Sequence, residues 1–292
     1  MSDTFFTASP HWTWFIIPYF FVGGLAGGAY FLAASLEWFG RPEDRPVIRT
    51  AYSLAFWGAI ISGALLTIDL GRPLRFWHML FQSDNFPHLM FKGFSPISFG
   101  AWAILLFGAC ALVSWRTKSS STVTKLVAAV GGLLGFFVAG YTGVLLTVTN
   151  RPIWADSPWL GALFLASGAS TAAAALILLA PRRGATAGSI AWLESFDMRA
   201  LVVELLILIL FVAWLWPIRQ VWLSFWGLLL LVGVIGAGIL WPLTLHRRPA
   251  AAAAGAFRNP AVMVLIGGFL LRVVILLSSN GIQHETVTAI GR

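Results

Sequence analysis

The sequence has little charge and almost no cysteine. Of its 292 residues, 10% are charged and 59% are hydrophobic, which excludes a water-soluble domain. A single cysteine, Cys110, excludes an intrachain disulfide and an iron–sulfur cluster ligated by this chain alone. None of the five histidines lies near the middle of a long apolar run, which argues against a haem held by two histidines within a bilayer. A polytopic membrane protein without haem or bound metal is predicted.

Long apolar runs separated by short polar connections predict eight membrane-spanning helices. About 20 apolar residues are needed to cross the hydrocarbon core as a helix, and these runs are too evenly apolar for barrel strands. The predicted spans are residues 12–39, 51–70, 96–115, 125–149, 159–180, 199–216, 221–243 and 260–281. The fold class is therefore all-α, one polytopic domain over residues 1–292, and the even number of spans places both termini on one side.

Lysine and arginine are distributed unequally between the two faces of this topology. The face that carries the first loop, called the basic face here, has twelve of them: Arg41, Arg45, Arg49, Arg116, Lys118, Lys125, Arg182, Arg183, Arg199, Arg247, Arg248 and Arg258. The other face, called the Asp69 face, has six. The positive-inside rule predicts that the basic face is cytoplasmic, and that the termini and the Asp69 face are periplasmic in a bacterial inner membrane. The net charge of +8 reflects this topology and does not indicate nucleic acid binding.

Charge, amide and proline occur together where the second and fourth predicted spans end. Asp69 and Arg72 belong to a DLGRP sequence, and Asn150 and Arg151 begin an NRP sequence. Both sequences emerge on the Asp69 face. Because a polar residue at a span end needs a partner or a task, their pairing predicts a site there.

Tyrosine and glycine residues lie at a similar depth near the same face. Tyr141 follows a glycine about two turns before Asn150, while Tyr19, Gly23 and Gly27 lie in the first span. A tyrosine hydroxyl beside small residues can host a planar ring. Close helix packing explains the glycines equally well, and an aromatic belt at the membrane surface explains Tyr19.

Four ionisable residues within or beside the spans are candidates for a proton path. Arg272 is the deepest, and Glu204, about five residues into the sixth span, is its natural partner. The two predict either a structural ion pair or part of a proton path. Glu37, at the basic end of the first span, either snorkels to the surface or joins such a path. Asp69 is the carboxylate best placed to exchange protons with water on its own face.

The connection over residues 71–95 is the longest in the chain and contains several aromatic residues. A connection of this length usually has a function. It predicts either a solvated loop with an aromatic belt or a docking surface for a partner subunit.

Five short sequences resemble, in order, the recurrent motifs of the polysulfide reductase membrane subunit family, also called the NrfD family. They are LAGG at 25–28, DLGRPLRF at 69–76, SPIS at 95–98, GYTG at 140–143 and NRPIW at 150–154. The resemblance covers nearly the whole chain and is in register with the eight predicted spans.

The resemblance implies the quinone-reactive subunit of a multi-subunit oxidoreductase, which is not catalytic alone. Such a subunit binds menaquinone or ubiquinone between its first four helices. It exchanges electrons with a ferredoxin-like iron–sulfur subunit, which connects to a molybdopterin enzyme or a multihaem cytochrome. Tyr141 matches the family's quinone-contacting tyrosine, and Tyr19 lies near a position where members have a polar side chain.

The resulting hypothesis assigns the reactive roles to Asp69 and Tyr141. The expected quinone site comprises Tyr19, Gly23, Gly27, Asp69, Arg72, Tyr141, Asn150 and Arg151, and the expected proton path comprises Glu37, Asp69, Glu204 and Arg272. Two other classes of function are alternatives. One is a secondary transporter or channel, which should have paired broken helices in its two halves; the other is a purely structural membrane anchor.

Overall fold

The computed structural model describes residues 14–82, 86–117, 121–246 and 259–290; for residues 246 and 280–290 it describes the backbone alone. Within these ranges β structure is limited to an isolated bridge between Phe81 and Leu89. The α-helices there are α1 (Ile16–Phe39), α2 (Arg45–Asp69), α3 (Pro96–Arg116), α4 (Thr122–Thr147), α5 (Leu160–Leu179), α6 (Ala187–Trp214), α7 (Phe225–Leu229), α8 (Trp241–His246) and α9 (Pro260–Ile290). A π-helical segment, Leu230–Leu240, joins α7 to α8.

Seven helical segments in the described ranges are long and apolar enough to cross a membrane. They are α1, α2 with its preceding turn, α3, α4, α5, the α7–α8 segment and α9 as far as Ser279. The remaining predicted span, 199–216, lies largely in α6, which has 28 residues but carries Asp197, Arg199 and Glu204. An all-helical membrane protein is thus confirmed, and α6 differs from the others because it is more highly charged.

Two helices begin earlier than the hydropathy pattern predicts. α2 begins at Arg45 rather than at residue 51, because Pro46 is favourable in a first helical turn. α6 begins at Ala187 rather than at residue 199, because the Thr186 side chain caps it by accepting from the Ser189 backbone N–H at 3.2 Å. In both cases the first turns are polar, so hydrophobicity alone does not reveal them. Residues 12 and 13 of the first predicted span lie outside the described ranges.

α1 and α5 form the centre of the molecule. α1 packs against α2, α4, α5 and α9, while α5 packs against α1, α4, α6 and α9. In the most apolar stretch of α1, 78% of the residues are buried, compared with 28% in α3. α1 to α4 therefore form a first bundle, and α5, α6, the α7–α8 segment and α9 form a second, with α1 and α5 at their junction.

Glycines allow α1 to approach two neighbouring backbones at once. A Cβ atom on Gly27 would overlap the Gly135 carbonyl of α4, and one on Gly28 would overlap the Gly168 carbonyl of α5. Small residues are the usual means of close helix packing in lipid, where apolar side chains gain little by leaving the hydrocarbon. For Gly27 the structure therefore favours the packing interpretation.

Hydrogen bonds between residues at the helix ends show which ends lie together at the basic face. The Trp38 indole N–H at the end of α1 donates to the Lys125 carbonyl in α4 at 3.0 Å. Asp44, in the turn before α2, accepts from the Ser189 hydroxyl in α6 at 2.5 Å. The end of α1 and the beginnings of α2, α4 and α6 thus lie on one side. Four of the cations predicted for this face lie outside the described ranges: Lys118, Arg247, Arg248 and Arg258.

We expect Gly28→Ala to destabilise the protein by about 1–3 kcal/mol, because the added methyl group forces α1 away from α5. The matched control is Gly63→Ala in α2, where a Cβ would meet nothing within 4 Å. That change should be neutral or stabilising by up to about 1 kcal/mol. Thermal unfolding in detergent measures both, and equal effects would contradict the packing interpretation.

Candidate functional site

A cluster of hydroxyl groups lies between α1 and α2 in the half of the first bundle near the Asp69 face. Tyr19, one turn into α1, is 1% exposed, and Ser62, about two turns before the end of α2, is 3% exposed. A Cβ on Gly23 would lie 3.6 Å from both the Ser62 Oγ and the Tyr19 ring, so the glycine keeps open a space beside them. Ser62 has no hydrogen-bond partner among the described residues. A buried polar atom left without a partner costs about 1–3 kcal/mol, so a ligand that bonds to Ser62 would recover that energy.

Tyr141 approaches this cluster from α4. Its hydroxyl donates to the Pro96 carbonyl at the beginning of α3 at 2.5 Å, and its ring stacks on Phe137. A Cβ on Gly100 would overlap the Tyr141 ring, so the glycine is required for this arrangement. Tyr141 and Tyr19 are close enough to interact electrostatically. The structure thus brings together the two tyrosines that the sequence predicted to share a depth.

Asp69 and Arg72 lie at the surface end of the same helix. Asp69 is the last residue of α2 and is half-buried, while Arg72 is exposed after Gly71, whose φ of +69° turns the chain out of the helix. Asp69 follows Ser62 by two helical turns on the same face of α2, about 10 Å along the axis. The face leads from the hydroxyl cluster towards water.

The connection after α4 is a packed structural element rather than an open loop. Arg151 is 3% exposed and its guanidinium lies 5.0 Å from the centroid of the Trp154 ring, whereas Asn150 is exposed. Burial lowers the pKa of the Arg151 guanidinium, but an arginine remains protonated. The Trp154 indole N–H donates to the Ile275 carbonyl in α9 at 2.8 Å. The connection therefore joins the first bundle to α9.

Ile153 in this connection has a φ of +72°, which is unfavourable for a β-branched side chain. Its backbone N–H donates to the Asp156 carboxylate at 3.0 Å, and its side chain is fully buried. Such a conformation costs about 1–3 kcal/mol and persists only where the surroundings impose it. The strain indicates that the position of this connection is tightly fixed.

A second polar cluster lies in the second bundle. Arg272 in α9 is fully buried and donates to the Ser167 hydroxyl at 2.5 Å and to the Gly268 carbonyl at 2.8 Å. Glu204 in α6 is 2% exposed and accepts from the Ser170 hydroxyl at 2.8 Å. Ser167 interacts with Glu204 as well. Serines of α5 therefore link the predicted partners.

Besides Ser167 and Ser170 of α5, sequence analysis missed two residues of these clusters, Ser62 and Asp197. Asp197 is fully buried in α6, two turns before Glu204, with which it interacts electrostatically. Each lies seven residues from a predicted site residue on the same helix, which puts both members of the pair on one face. That spacing is the signal that identifies them.

Glu37 belongs to neither cluster. It forms an ion pair with Arg45 at the basic face, with the Arg45 Nη1 3.1 Å from the Glu37 Oε1. The carboxylate is 6% exposed and Arg45 is 40% exposed, so the pair lies at the surface end of the helices. Its position matches the expectation of an anchored charge at a helix end.

Two cavities lie at the basic face. One of about 190 Å³ lies among α1 to α4, and one of about 560 Å³ lies beside the end of α1 and the beginning of α6. Neither is lined by Tyr19, Tyr141 or Asp69. Because Tyr19 is 1% exposed and Ser62 is 3% exposed, a planar ring can bind at the hydroxyl cluster only if side chains there move apart.

Among the residues with described side chains, no group of three or more histidine, cysteine, aspartate or glutamate residues is placed to hold a metal ion.

This fold and these clusters define a helical, multi-span membrane protein with polar groups buried in both of its bundles. The chain belongs to the NrfD family. Residues 3–282 match the family described as "Polysulphide reductase, NrfD", which confirms the resemblance seen in the motifs. The protein is accordingly a bacterial membrane subunit of a redox complex.

Curated relatives match the chain over most of its length. A Protein NrfD homolog from Haemophilus influenzae is 27% identical over 82% of this chain and 84% of its own length. The C subunit of polysulfide reductase from Wolinella succinogenes is 26% identical over 91% of this chain and 93% of its own length. Protein NrfD from Escherichia coli is 26% identical over 94% of this chain and 95% of its own length.

Proposed function

We propose that the chain is the quinone-reactive, haem-free subunit of a respiratory oxidoreductase, exchanging electrons between the membrane quinone pool and an iron–sulfur partner subunit. The observation that carries this proposal is the cluster of Tyr19, Gly23, Ser62 and Tyr141, in which the buried Ser62 hydroxyl has no partner within the described part of the chain. Family membership supports the redox role. A purely structural anchor would not need an unused hydroxyl at this position.

Menaquinone or ubiquinone supplies two-electron, two-proton chemistry when bound. Its carbonyl oxygens need hydrogen-bond donors as charge develops on reduction. Ser62 offers a hydroxyl that the described residues leave unused. Tyr141 offers a second one, provided that the hydroxyl rotates away from the Pro96 carbonyl to which it now donates. These donors suit a planar dicarbonyl ring between α1, α2 and α4, which enters beside Gly23 when the surrounding side chains move apart.

Asp69 is proposed to exchange protons between this cluster and the water at its own face. It is half-buried, and it lies on the helix face that carries Ser62. Arg72 provides a positive charge close by in the sequence. Asn150 and Arg151 are proposed to frame the surface end of the site, with Arg151 held in position against Trp154.

We expect Tyr141→Phe, Ser62→Ala and Asp69→Asn each to slow quinol-linked electron transfer, by up to about a hundredfold for a lost donor or proton acceptor. Turnover of the purified complex with a soluble quinol measures this. The matched control is Tyr30→Phe, which removes the hydroxyl that contacts Ser114 at 2.6 Å near the basic end of the same bundle. The control should retain its turnover.

The amount of assembled complex distinguishes a direct role from a structural one. If Tyr141 only fastens α4 to α3, Tyr141→Phe lowers the yield and the thermal stability but leaves turnover per assembled complex intact. Unchanged turnover in all three variants would remove these residues from the mechanism.

The loop over residues 71–95 is proposed to be the docking surface for the iron–sulfur subunit and, through it, for a molybdopterin enzyme or multihaem cytochrome. Leu74 is 89% exposed and Phe94 is 87% exposed. The part of the loop near Phe94 is nevertheless held in place, because the Trp102 indole N–H donates to the Met90 carbonyl at 2.8 Å and the Lys92 backbone N–H donates to Ser98 at 3.1 Å. Large apolar side chains on a fixed backbone are typical of an interface.

We expect Leu74→Ser combined with Phe94→Ser to weaken partner binding about tenfold or more, since buried anchors dominate interface energy. Copurification of the iron–sulfur subunit measures this.

A Phe94→Cys variant, expressed without the iron–sulfur subunit, should react with a membrane-impermeant maleimide in spheroplasts, because the loop is proposed to be periplasmic.

Phe39 is the matched control for both experiments, because it is 89% exposed at the basic face. Phe39→Ser should leave the partner bound, and Phe39→Cys should resist labelling in intact spheroplasts. If Phe39→Ser lost the partner as fully as the Leu74 and Phe94 double variant, the docking surface would be contradicted. Labelling at Phe39 alone would show that the orientation is the opposite of the one proposed.

α6 is proposed to be the eighth span. Its side chains Asp197 and Glu204 are buried, and Glu204 accepts from the Ser170 hydroxyl of α5. Among the last residues of α6 the exposed large side chains are apolar: Val202, Val203, Leu206, Ile209, Leu210 and Trp214. Charges in a membrane helix almost always face the protein interior, so the composition of α6 suits a span that carries a buried polar cluster.

The cluster of Asp197, Glu204 and Arg272 is proposed to carry protons through the second bundle. The residues follow one another from the basic end of α6 inward, and serines of α5 connect the last two. A Cβ on Gly24 would lie 3.3 Å from an Arg272 Nη atom, so the cluster reaches α1 directly beside Gly23 of the proposed quinone site. Glu37 is proposed to lie at the basic-face entrance.

We expect Glu204→Gln to lower the number of protons moved per electron towards zero while electron transfer continues, because glutamine cannot exchange a proton. The pH change in proteoliposomes containing the whole complex measures this ratio. Glu194→Gln, at an exposed position on the same helix, should behave like the unchanged protein. A ratio unaffected by Glu204→Gln would make the cluster a structural one.

A further inference from the structure

The smaller cavity at the basic face is lined by an unusual set of residues. Its volume is about 190 Å³, and it lies where α1, α2, α3 and α4 end or begin. Three arginines line it, together with one glutamate, one tyrosine and three small hydroxyl residues: Arg45, Arg49, Arg183, Glu37, Tyr52, Ser114, Thr117 and Thr124. None of these except Glu37 belongs to the proposed quinone or proton functions.

The electrostatics of the cavity favour an anion. Its three guanidinium groups and one carboxylate give a net charge of +2, and the carboxylate is already paired with Arg45. Arg49 is exposed, and Arg183 donates to the Ser53 hydroxyl at a long 3.4 Å. Guanidinium groups bind phosphate oxygens in pairs of parallel hydrogen bonds, which makes a phosphate group the anion best matched to this lining.

Tyr52 provides independent evidence for a ligand. It is 6% exposed and lines the cavity, and its hydroxyl has no hydrogen-bond partner among the described residues. The ring is fixed by an edge contact with Tyr30 at 5.1 Å. Because a buried hydroxyl without a partner is costly, a ligand oxygen in the cavity would satisfy it.

The surroundings of the cavity indicate that this ligand also has an apolar part. Trp115 lines the cavity and stacks on Phe56 at 4.6 Å, while Trp57 beside it is 52% exposed. Further along α2, Ile60 and Ile61 are each 47% exposed. Ile60 and Ile61 lie three and four residues after Trp57, and the three therefore share one exposed, apolar face of α2, which leads away from the charged cavity.

We propose that this cavity binds the phosphate headgroup of an anionic phospholipid, whose acyl chains lie along α2. The volume is smaller than the about 300–1,000 Å³ typical of sites that enclose a whole ligand, so it suits a headgroup alone. Basic pockets at the cytoplasmic side of helix bundles are suited to such headgroups. A free phosphate ion shares this headgroup chemistry, and the experiment distinguishes the two.

The test measures binding of dioleoyl phosphatidylglycerol to the purified full chain in detergent, by native mass spectrometry and by the rise in the thermal midpoint. Dioleoyl phosphatidylcholine and inorganic phosphate are the comparison ligands. We expect phosphatidylglycerol alone to bind and stabilise. Arg49→Gln combined with Arg183→Gln should weaken binding about fivefold for each arginine removed.

Two variants control for general effects. Arg182→Gln with Arg199→Gln removes the same charge from exposed positions on the same face that do not line the cavity, and should bind phosphatidylglycerol normally. Tyr52→Phe should leave the lipid-free thermal midpoint unchanged or raise it, because it removes an unsatisfied hydroxyl, yet should bind phosphatidylglycerol about fivefold less tightly.

Three results would overturn the proposal. The first is equal stabilisation by phosphatidylcholine and phosphatidylglycerol. The second is equal loss of binding in the Arg49 and Arg182 double variants, which would show a diffuse charge effect. The third is stabilisation by inorganic phosphate as large as that by the lipid, which would make the cavity a site for the free ion.

Discussion

The close approach of α1 to α4 and α5 organises the whole molecule. Backbone carbonyls of α4 and α5 occupy the space that side chains on Gly27 and Gly28 would take. In a bilayer, helices gain little by hiding apolar surface from one another, so this backbone contact replaces the hydrophobic effect as the source of specificity. With α1 held in this way, the remaining helices of each bundle can pack around it.

The two polar clusters lie on opposite sides of α1, in different bundles. Gly23 faces the Ser62 hydroxyl and the Tyr19 ring in the first bundle, while Gly24 faces the Arg272 guanidinium in the second. The connection after α4 couples the same two bundles, because Trp154 donates to a carbonyl of α9 and Ile153 is held in a strained conformation. The proposed electron chemistry in the first bundle and the proposed proton movement in the second would therefore lie on two sides of one helix.

Much of the architecture was predictable because a bilayer imposes length and hydrophobicity on each span. The existence of the helices at 96–115 and 159–180 follows from that rule almost without correction. The early beginnings of α2 and α6 were not predicted, since Pro46 and the Thr186 cap act through backbone geometry rather than hydrophobicity. Ser62 and Asp197 were missed because each is unremarkable until its partner on the same helix face is considered.

The family, the helical class and the unequal charge of the two faces could all be read from the sequence, because each depends on residue order and composition alone. Which polar residues meet is a property of the folded protein. Folding brings Tyr19 to Tyr141 and Ser62 to Gly23, and it places Gly27 against α4 and Glu37 beside Arg45. Most of these contacts join residues on different helices, and their formation depends on how closely the helix backbones approach, which no local pattern records.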